Sequence, residues 1–337
     1  MRILIIAIAA ALAAATGALA GPTVEAVKAR GQLNCGVNTG LPGFSAADAQ
    51  GKWSGLDVDI CRAIAAAVLG DAAKVRYVPL NAAQRFDALR RNQVDLLSRN
   101  TTMTLTADTQ LGFEFGPVVY YDGQGFMVPK KAGVDNINKL PGATVCVQQG
   151  TTSEANLVEY SARRRLDLKT LPLPDLAAAE NAYFTGRCAA YTADRSALAA
   201  SRARRAGATD AHTILGNTIS REPLAPLVRH GDAEWADLLR WTIYALILAD
   251  EYDITAGTVE ANRTSNLTEV RRLLGLEPGI GKGFGLDDSW AARAITAVGS
   301  YAEMFDRNVG TKSALRLERG PNDLWSRGGL MYAPPVR

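Results

Sequence analysis

Val94-Asp95-Leu96-Leu97-Ser98-Arg99-Asn100-Thr101-Thr102 and Ala143-Thr144-Val145-Cys146-Val147-Gln148-Gln149-Gly150-Thr151-Thr152-Ser153 share one design. Each runs from an apolar stretch of strand length into a polar, hydroxyl-rich turn before a helix. In open α/β sheets ligands collect outside the carboxyl ends of the strands, where helix N-termini offer free N–H groups and partial positive charge. Ser and Thr also cap helices whether or not anything binds. The signal is therefore the occurrence of two such turns, able to face each other across a cleft.

The residues around the first turn alternate between strand and helix patterns. Leu33 to Val37 reads as a strand, followed by a Gly/Pro-rich loop from Asn38 to Gly43. From Asp57 to Leu69, Cys61, Ile64, Ala65, Val68 and Leu69 recur at helical spacing, and Gly70 stops the helix. Val75 to Val78 reads as a strand, Gln84 to Asn92 as a helix with Phe86 and Leu89 inward, and Val94 to Leu97 as a buried strand. This alternation predicts a mostly parallel sheet with helices on its faces. The pattern restarts after Gly123-Gln124-Gly125, with strands at 126–128, 143–147, 169–173 and 188–191, and helices from Ser153 and around 176–184. Beyond Glu222-Pro223-Leu224 the chain reads as helices, 234–250, 269–274 and 290–308, with an irregular tail.

Composition bounds the class. The 337 residues suffice for two lobes, and 47% hydrophobic with 21% charged residues is the make-up of a globular protein. Net charge is +3, and the basic runs Arg163-Arg164-Arg165 and Arg202 to Arg205 lack interleaved aromatics, which argues against a nucleic-acid surface. Arg2, the apolar run Ile3 to Ala15 and the small-x-small site Ala18-Leu19-Ala20 have the form of an export signal cleaved after Ala20. A membrane anchor is the alternative, but the run is short and Gly17 breaks it. Four cysteines in an exported chain suggest two disulfides among three connectivities, with four buried thiols as the other reading. The natural pairing is Cys35 with Cys61 and Cys146 with Cys188, one bridge in each lobe. His212 and His230 stand far apart and no cysteine pair has close ligand spacing, so no metal site is expected. The chain has no G-x-S-x-G elbow, H-E-x-x-H or P-loop.

Longer runs carry a family resemblance: Gly55-Leu56-Asp57-Val58-Asp59-Ile60-Cys61-Arg62-Ala63, Arg99 to Thr102, and Tyr120-Tyr121-Asp122-Gly123-Gln124-Gly125-Phe126-Met127-Val128. Val145 to Thr152, Gly186-Arg187-Cys188, Tyr191 to Asp194, Glu222-Pro223-Leu224 with Val228 to Asp232, and Gly328 to Pro335 extend it over the whole chain after the export segment. In these residues the chain resembles the periplasmic amino-acid-binding proteins of ABC transporters (solute-binding protein family 3), and within them the general L-amino-acid-binding subgroup. The resemblance implies an α/β clamshell of the type II periplasmic-binding-protein class with two hinge crossings. Lobe 1 would be residues 21–124 with 223–337, and lobe 2 residues 125–222. It further implies a monomer, free in the periplasm, that needs no cofactor, captures L-amino acids and delivers them to a membrane permease. A sensor module, or an enzyme resembling cyclohexadienyl dehydratase with Glu154 as its acid–base group, is the alternative on the same scaffold.

Roles follow by position. Backbone N–H groups of Thr102 and Thr152 would meet the ligand carboxylate with their hydroxyls nearby, and Asn100, Thr101, Gly150 and Thr151 would complete the two walls. Asp194 matches the acid that accepts the α-ammonium, its alternative being a helix N-cap for the residues that follow. Asn38 stands where relatives carry a group for the ligand side chain. Two positions depart: Met103 replaces the usual Trp, and Ala107 stands where the family carries an arginine that grips the carboxylate with two parallel hydrogen bonds. Three explanations compete: Arg99 swings in as a substitute clamp, the ligand lacks an α-carboxylate, or tight binding is lost. The expectation is amino-acid binding with altered or weaker affinity.

Overall fold

The computed structural model describes residues 21–205 and 207–337. The expected export segment, residues 1–20, lies outside the described residues.

Two five-stranded sheets form two lobes. In the first, strands Val75–Pro79, Leu33–Val37, Leu96–Leu97, Leu227–Arg229 and Phe113–Phe115 lie in that order. In the second the order is Lys169–Leu173, Thr144–Gln148, Ala190–Asp194, Gln124–Pro129 and His212–Ile214. Each sheet has three parallel strands, as the alternation predicts, and two antiparallel to their neighbours. The sequence pattern fell short at three of the antiparallel strands, although the one expected at 126–128 is present as Gln124–Pro129. Leu227–Arg229 enters the first sheet from the region read as wholly helical, because three buried or half-buried residues are too few to show a period.

Two further readings change. The helix expected over 290–308 is two helices, Trp290–Val298 and Tyr301–Asn308. Gly299 between them sits at φ 80°, and Ser300 and Glu303 form a reciprocal capping box that starts the second. The chain also opens with a helix not foreseen, Pro22–Arg30, whose first-turn N–H at Thr23 donates to Asp232 Oδ2 at 2.8 Å.

The C-terminal helices complete the first lobe. Trp290–Val298 packs on Leu56–Leu69 and on Ala233–Glu251. Arg293 at their contact donates to the carbonyls of Ala66 and Ala67 in the last turn of Leu56–Leu69, where helix carbonyls run short of backbone donors. Ala233–Glu251 contains the apolar run 241–249, and no described helix is long and apolar enough to cross a membrane.

The lobes are joined by a two-stranded ribbon. Tyr120–Asp122 and Glu222–Leu224 pair antiparallel, with Glu222 opposite Asp122 and Leu224 opposite Tyr120. The irregular tail secures it: buried Asn322 accepts from the Tyr121 N–H at 2.6 Å and donates to the Tyr121 carbonyl at 3.1 Å. One amide side chain thus does what a neighbouring strand would do. Asp250 holds the same tail through Arg319 at 2.8 Å and Arg327 at 3.3 Å.

Both expected disulfides are present, Cys35–Cys61 and Cys146–Cys188, and no described cysteine is free. The first ties a sheet strand to the helix packed on it, and they close spans of 26 and 42 residues. Loop closure of that size removes roughly 3–4 kcal/mol of unfolded-state freedom per bridge. Replacing Cys146 and Cys188 together by serine should therefore lower the urea midpoint well below that of the parent under oxidising conditions. A reductant should move the parent toward the variant, and equal midpoints would show that the bridge adds nothing.

Candidate functional site: the cleft between the lobes

The first polar turn takes its shape from Asp57. This residue, in the first turn of Leu56–Leu69, accepts from the Asn100 N–H at 2.9 Å and the Ser98 hydroxyl at 3.3 Å. The turn needs such a tether because Asn100 has φ 42°, a left-handed backbone that asparagine tolerates better than most residues. Burial pushes the Asp57 carboxyl up to about 7, against the opposing pull of the Asn100 N–H, the Arg99 charge and the Ser98 hydroxyl.

The second turn is tied internally. Gly150 has φ 72° and donates its N–H to Glu154 Oε2 at 2.8 Å, while the Thr151 hydroxyl donates to the Gln148 carbonyl at 2.7 Å. The helix Thr152–Arg164 that follows has no side-chain cap, so no side chain competes for its first N–H groups. Gln124 fixes that helix on the sheet, donating to the Ser153 carbonyl at 2.9 Å and the Thr192 hydroxyl at 2.8 Å.

The two turns meet. Thr102 Oγ1 and Thr152 Oγ1 are 3.5 Å apart, and both donate to Glu222 Oε2, at 2.6 and 2.8 Å. Asn38, Arg99, Asn100, Thr102, Thr151, Thr152 and Asp194 line one cavity between the sheets, joined by Arg85, Gln148, Tyr191 and Leu176. Of the expected residues, Thr101 and Gly150 do not line it: Thr101 is buried behind its turn, and Gly150 belongs to the outer bend. Asn38 donates to Asn100 Oδ1 at 2.8 Å, so the ligand-side-chain position and the first turn are linked.

Asp194 is the last residue of Ala190–Asp194, and its side chain does not cap the helix that follows. It is buried, and that burial, with the nearby charges of Asp122 and Glu222, raises its carboxyl well above the usual range; Arg85 and the Asn100 amide pull the other way. The cleft therefore holds a carboxylate that gains by meeting a cation.

Arg85 is the residue that sequence reading missed. It begins the helix Arg85–Arg90, is 8% exposed, and lines the cavity. Its Nε has no hydrogen-bond partner among the described residues, and its guanidinium stacks on the Phe86 ring at 4.7 Å. Burial pushes it down to about 10, partly offset by Asp194. Arg99 beside it is also buried and donates Nε to the Leu80 carbonyl at 3.1 Å; burial and the Arg85 charge bring it to about 9. The available signal was positional: Arg85 precedes the inward-facing Leu89 by one helical turn and shares its face. Ala107 packs in an apolar cluster with Leu89, Leu97 and Phe113 and does not line the cavity; Met103 is 40% exposed.

With this geometry in place, known proteins supply the frame. The family described as bacterial extracellular solute-binding proteins, family 3, matches residues 33–256, which span both sheets and both ribbon strands. The chain belongs to that family. It is 49% identical to the general L-amino acid-binding periplasmic protein of Rhizobium johnstonii, over 98% of this chain and 97% of that one. It is 50% identical to the glutamate/glutamine/aspartate/asparagine-binding protein of Rhodobacter capsulatus, over 95% of each. A solved periplasmic binding protein of an ABC transporter from Brucella ovis, with glutathione bound, superposes with a TM-score of 0.91 at 47% identity. That superposition covers 94% of this chain and 99% of the other. These relatives are solute-binding proteins, and the fold is theirs: the type II clamshell. Glu154, the acid an enzymatic reading would use, is engaged by its own turn at Gly150.

Asp57 gives a stability test. A carboxyl raised from its ordinary 3.8 to about 7 in the folded chain makes folding take up a proton. Its contribution is present at low pH and is lost as pH rises toward and through 7. Asp57→Asn keeps an acceptor for the Asn100 N–H, offers its NH2 to the Ser98 hydroxyl, and cannot ionise. Relative to the parent, its urea midpoint should rise progressively between about pH 4 and 7 and level off above; a constant difference across that range would refute the shift.

Proposed function

We propose that this solute-binding protein captures L-amino acids between its lobes and delivers them to the permease of an ABC transporter. It would act as a monomer in the periplasm, after cleavage behind Ala20. The lobes would divide as 21–124 with 223–337 and 125–222, hinged at the paired strands. One observation carries the reading: buried Asp194 from one sheet faces buried Arg85 from the other lobe across a cavity lined by both polar turns. An α-amino acid presents the matching pair, an ammonium for Asp194 and a carboxylate for a guanidinium. Each charge offsets the desolvation of its partner. The named ligands of the Rhizobium and Rhodobacter relatives fit the same chemistry.

The arginine expected at position 107 has a substitute in this reading, and it is Arg85 rather than Arg99. Arg99 spends its Nε on Leu80, whereas the Arg85 Nε is without a partner among the described residues. Removing one partner of a desolvated charge pair costs about 2–5 kcal/mol, or roughly 30- to several-thousand-fold in affinity. Calorimetry with a panel of L-amino acids should find binding, and Arg85→Met should weaken it by that factor. A folded Arg85→Met with parental affinity would remove Arg85 from the site, and a panel without any binder would remove the amino-acid reading.

Asp194 adds a pH signature. Its raised carboxyl must be ionised to meet an ammonium, so binding releases protons and strengthens as pH rises through the titration of the free protein. Calorimetry in buffers of different ionisation enthalpy should detect that release in the parent and not in Asp194→Asn, whose affinity should collapse. Proton uptake by the parent would contradict the assignment.

A further inference from the structure

Glu222 stands at the hinge and has no place in the ligand chemistry above. It lies in the ribbon strand Glu222–Leu224, opposite Asp122, and is 1% exposed. Its Oε2 accepts from Thr102 of the first lobe and Thr152 of the second, while its Oε1 accepts from Asn156 Nδ2 at 2.8 Å and from Ser220. Thr102 is placed by its own bridge to Leu224, and Thr152 and Asn156 share one face of the helix Thr152–Arg164. One carboxylate therefore gathers donors from both lobes and from the segment between them.

We propose that Glu222 is a closure latch, a positioning residue whose hydrogen bonds join the two ligand-holding turns in the shut clamshell. A carboxylate accepts only, so the hydroxyl protons of Thr102 and Thr152 are both directed to it. Separating the lobes must break the Thr102 set or the Thr152 and Asn156 set. Hydrogen bonds to a charged group are the strong kind, and on opening they are exchanged for bonds to water entering the cleft, so the latch contributes their net difference. Another direct polar contact, at the cleft mouth, is exposed: Arg204 donates to the Gly40 carbonyl at 2.8 Å. Ligand binding shifts a two-state equilibrium only by its preference for one state. A latch that favours closure on its own lowers the amount of that preference the ligand must supply.

The inference rests on the two-lobed reading but not on the identity of the ligand. The test is a distance measurement between fluorophores on the two lobes, in the parent and in Glu222→Ala, without ligand and with the tightest-binding L-amino acid of the panel. Glu222→Ala should shift the ligand-free distribution toward the open form and weaken binding about 10- to 100-fold, mainly through faster dissociation. Saturating amino acid should restore the closed distance. Thr152→Val in that background should add less than about threefold, because the shared partner is already gone. A folded Glu222→Ala with unchanged ligand-free distance, or with fully additive effects, would overturn the latch. Should Glu222→Ala not fold, Asn156→Ala and Thr152→Val, which leave the ribbon intact, must each open the free protein partway; no opening in either would also overturn it. A panel without binders would sink the amino-acid reading while the ligand-free distances still decide the latch.

Discussion

Everything that makes this chain a receptor depends on the antiparallel pairing of Tyr120–Asp122 with Glu222–Leu224. Two short strands carry the chain from one lobe to the other and back, and their register decides which residues of the two lobes face each other. Glu222 falls opposite Asp122, and Asp122 in turn accepts from the N–H groups of Gly123 and of Ser196, the second residue of the helix after Asp194. A ribbon this short has few hydrogen bonds of its own, and its stability is borrowed. Asn322 supplies a strand-like partner to Tyr121, and Asp250 holds the tail that bears Asn322. The C-terminal helices and tail are thus part of the hinge support as well as a cover for the first lobe.

The cleft is an electrostatic arrangement before it is a shape. On the hinge side the charges of Asp122 and Glu222 join burial in raising Asp194, while Arg85 and Arg99 stand buried in the first lobe. Buried charges without partners are costly; around one cavity the Arg85 Nε has no hydrogen-bond partner among the described residues, and Asp194, beside the Asn100 amide, is in no ion pair among them. A zwitterion with an ammonium at one end and a carboxylate at the other satisfies both. Position 107 is filled by a small residue in an apolar cluster, and under the proposed function the guanidinium would come instead from the helix Arg85–Arg90.

Much of this was legible in order along the chain. The strand-turn pairs around Ser98 and Gln149, the helix from Asp57 and the pattern restart after Gly125 follow from hydrophobic period and turn chemistry, and most expected elements agree with the structure within a few residues. The failures have physical causes. Strands of two or three residues, such as Leu227–Arg229, carry no period. Gly299-Ser300 is a stop and a new cap inside a run whose apolar spacing alone reads as one helix. Arg85 drew no role because helical periodicity says which residues share a face and not what that face meets.

By itself the sequence determined the class of the protein. Local spacing sets strands, helices and caps, the cysteines can pair within each α/β unit, and two hydroxyl-rich turns follow two apolar strands. Tertiary structure alone decided the wiring of the site. Whether Thr102 and Thr152 touch, which carboxylate both hydroxyls reach, and that Arg85 rather than Arg99 keeps an unpartnered Nε are relations between residues far apart in the chain. Such relations are set by the register of the ribbon and by burial, and neither leaves a mark in the local pattern of residues.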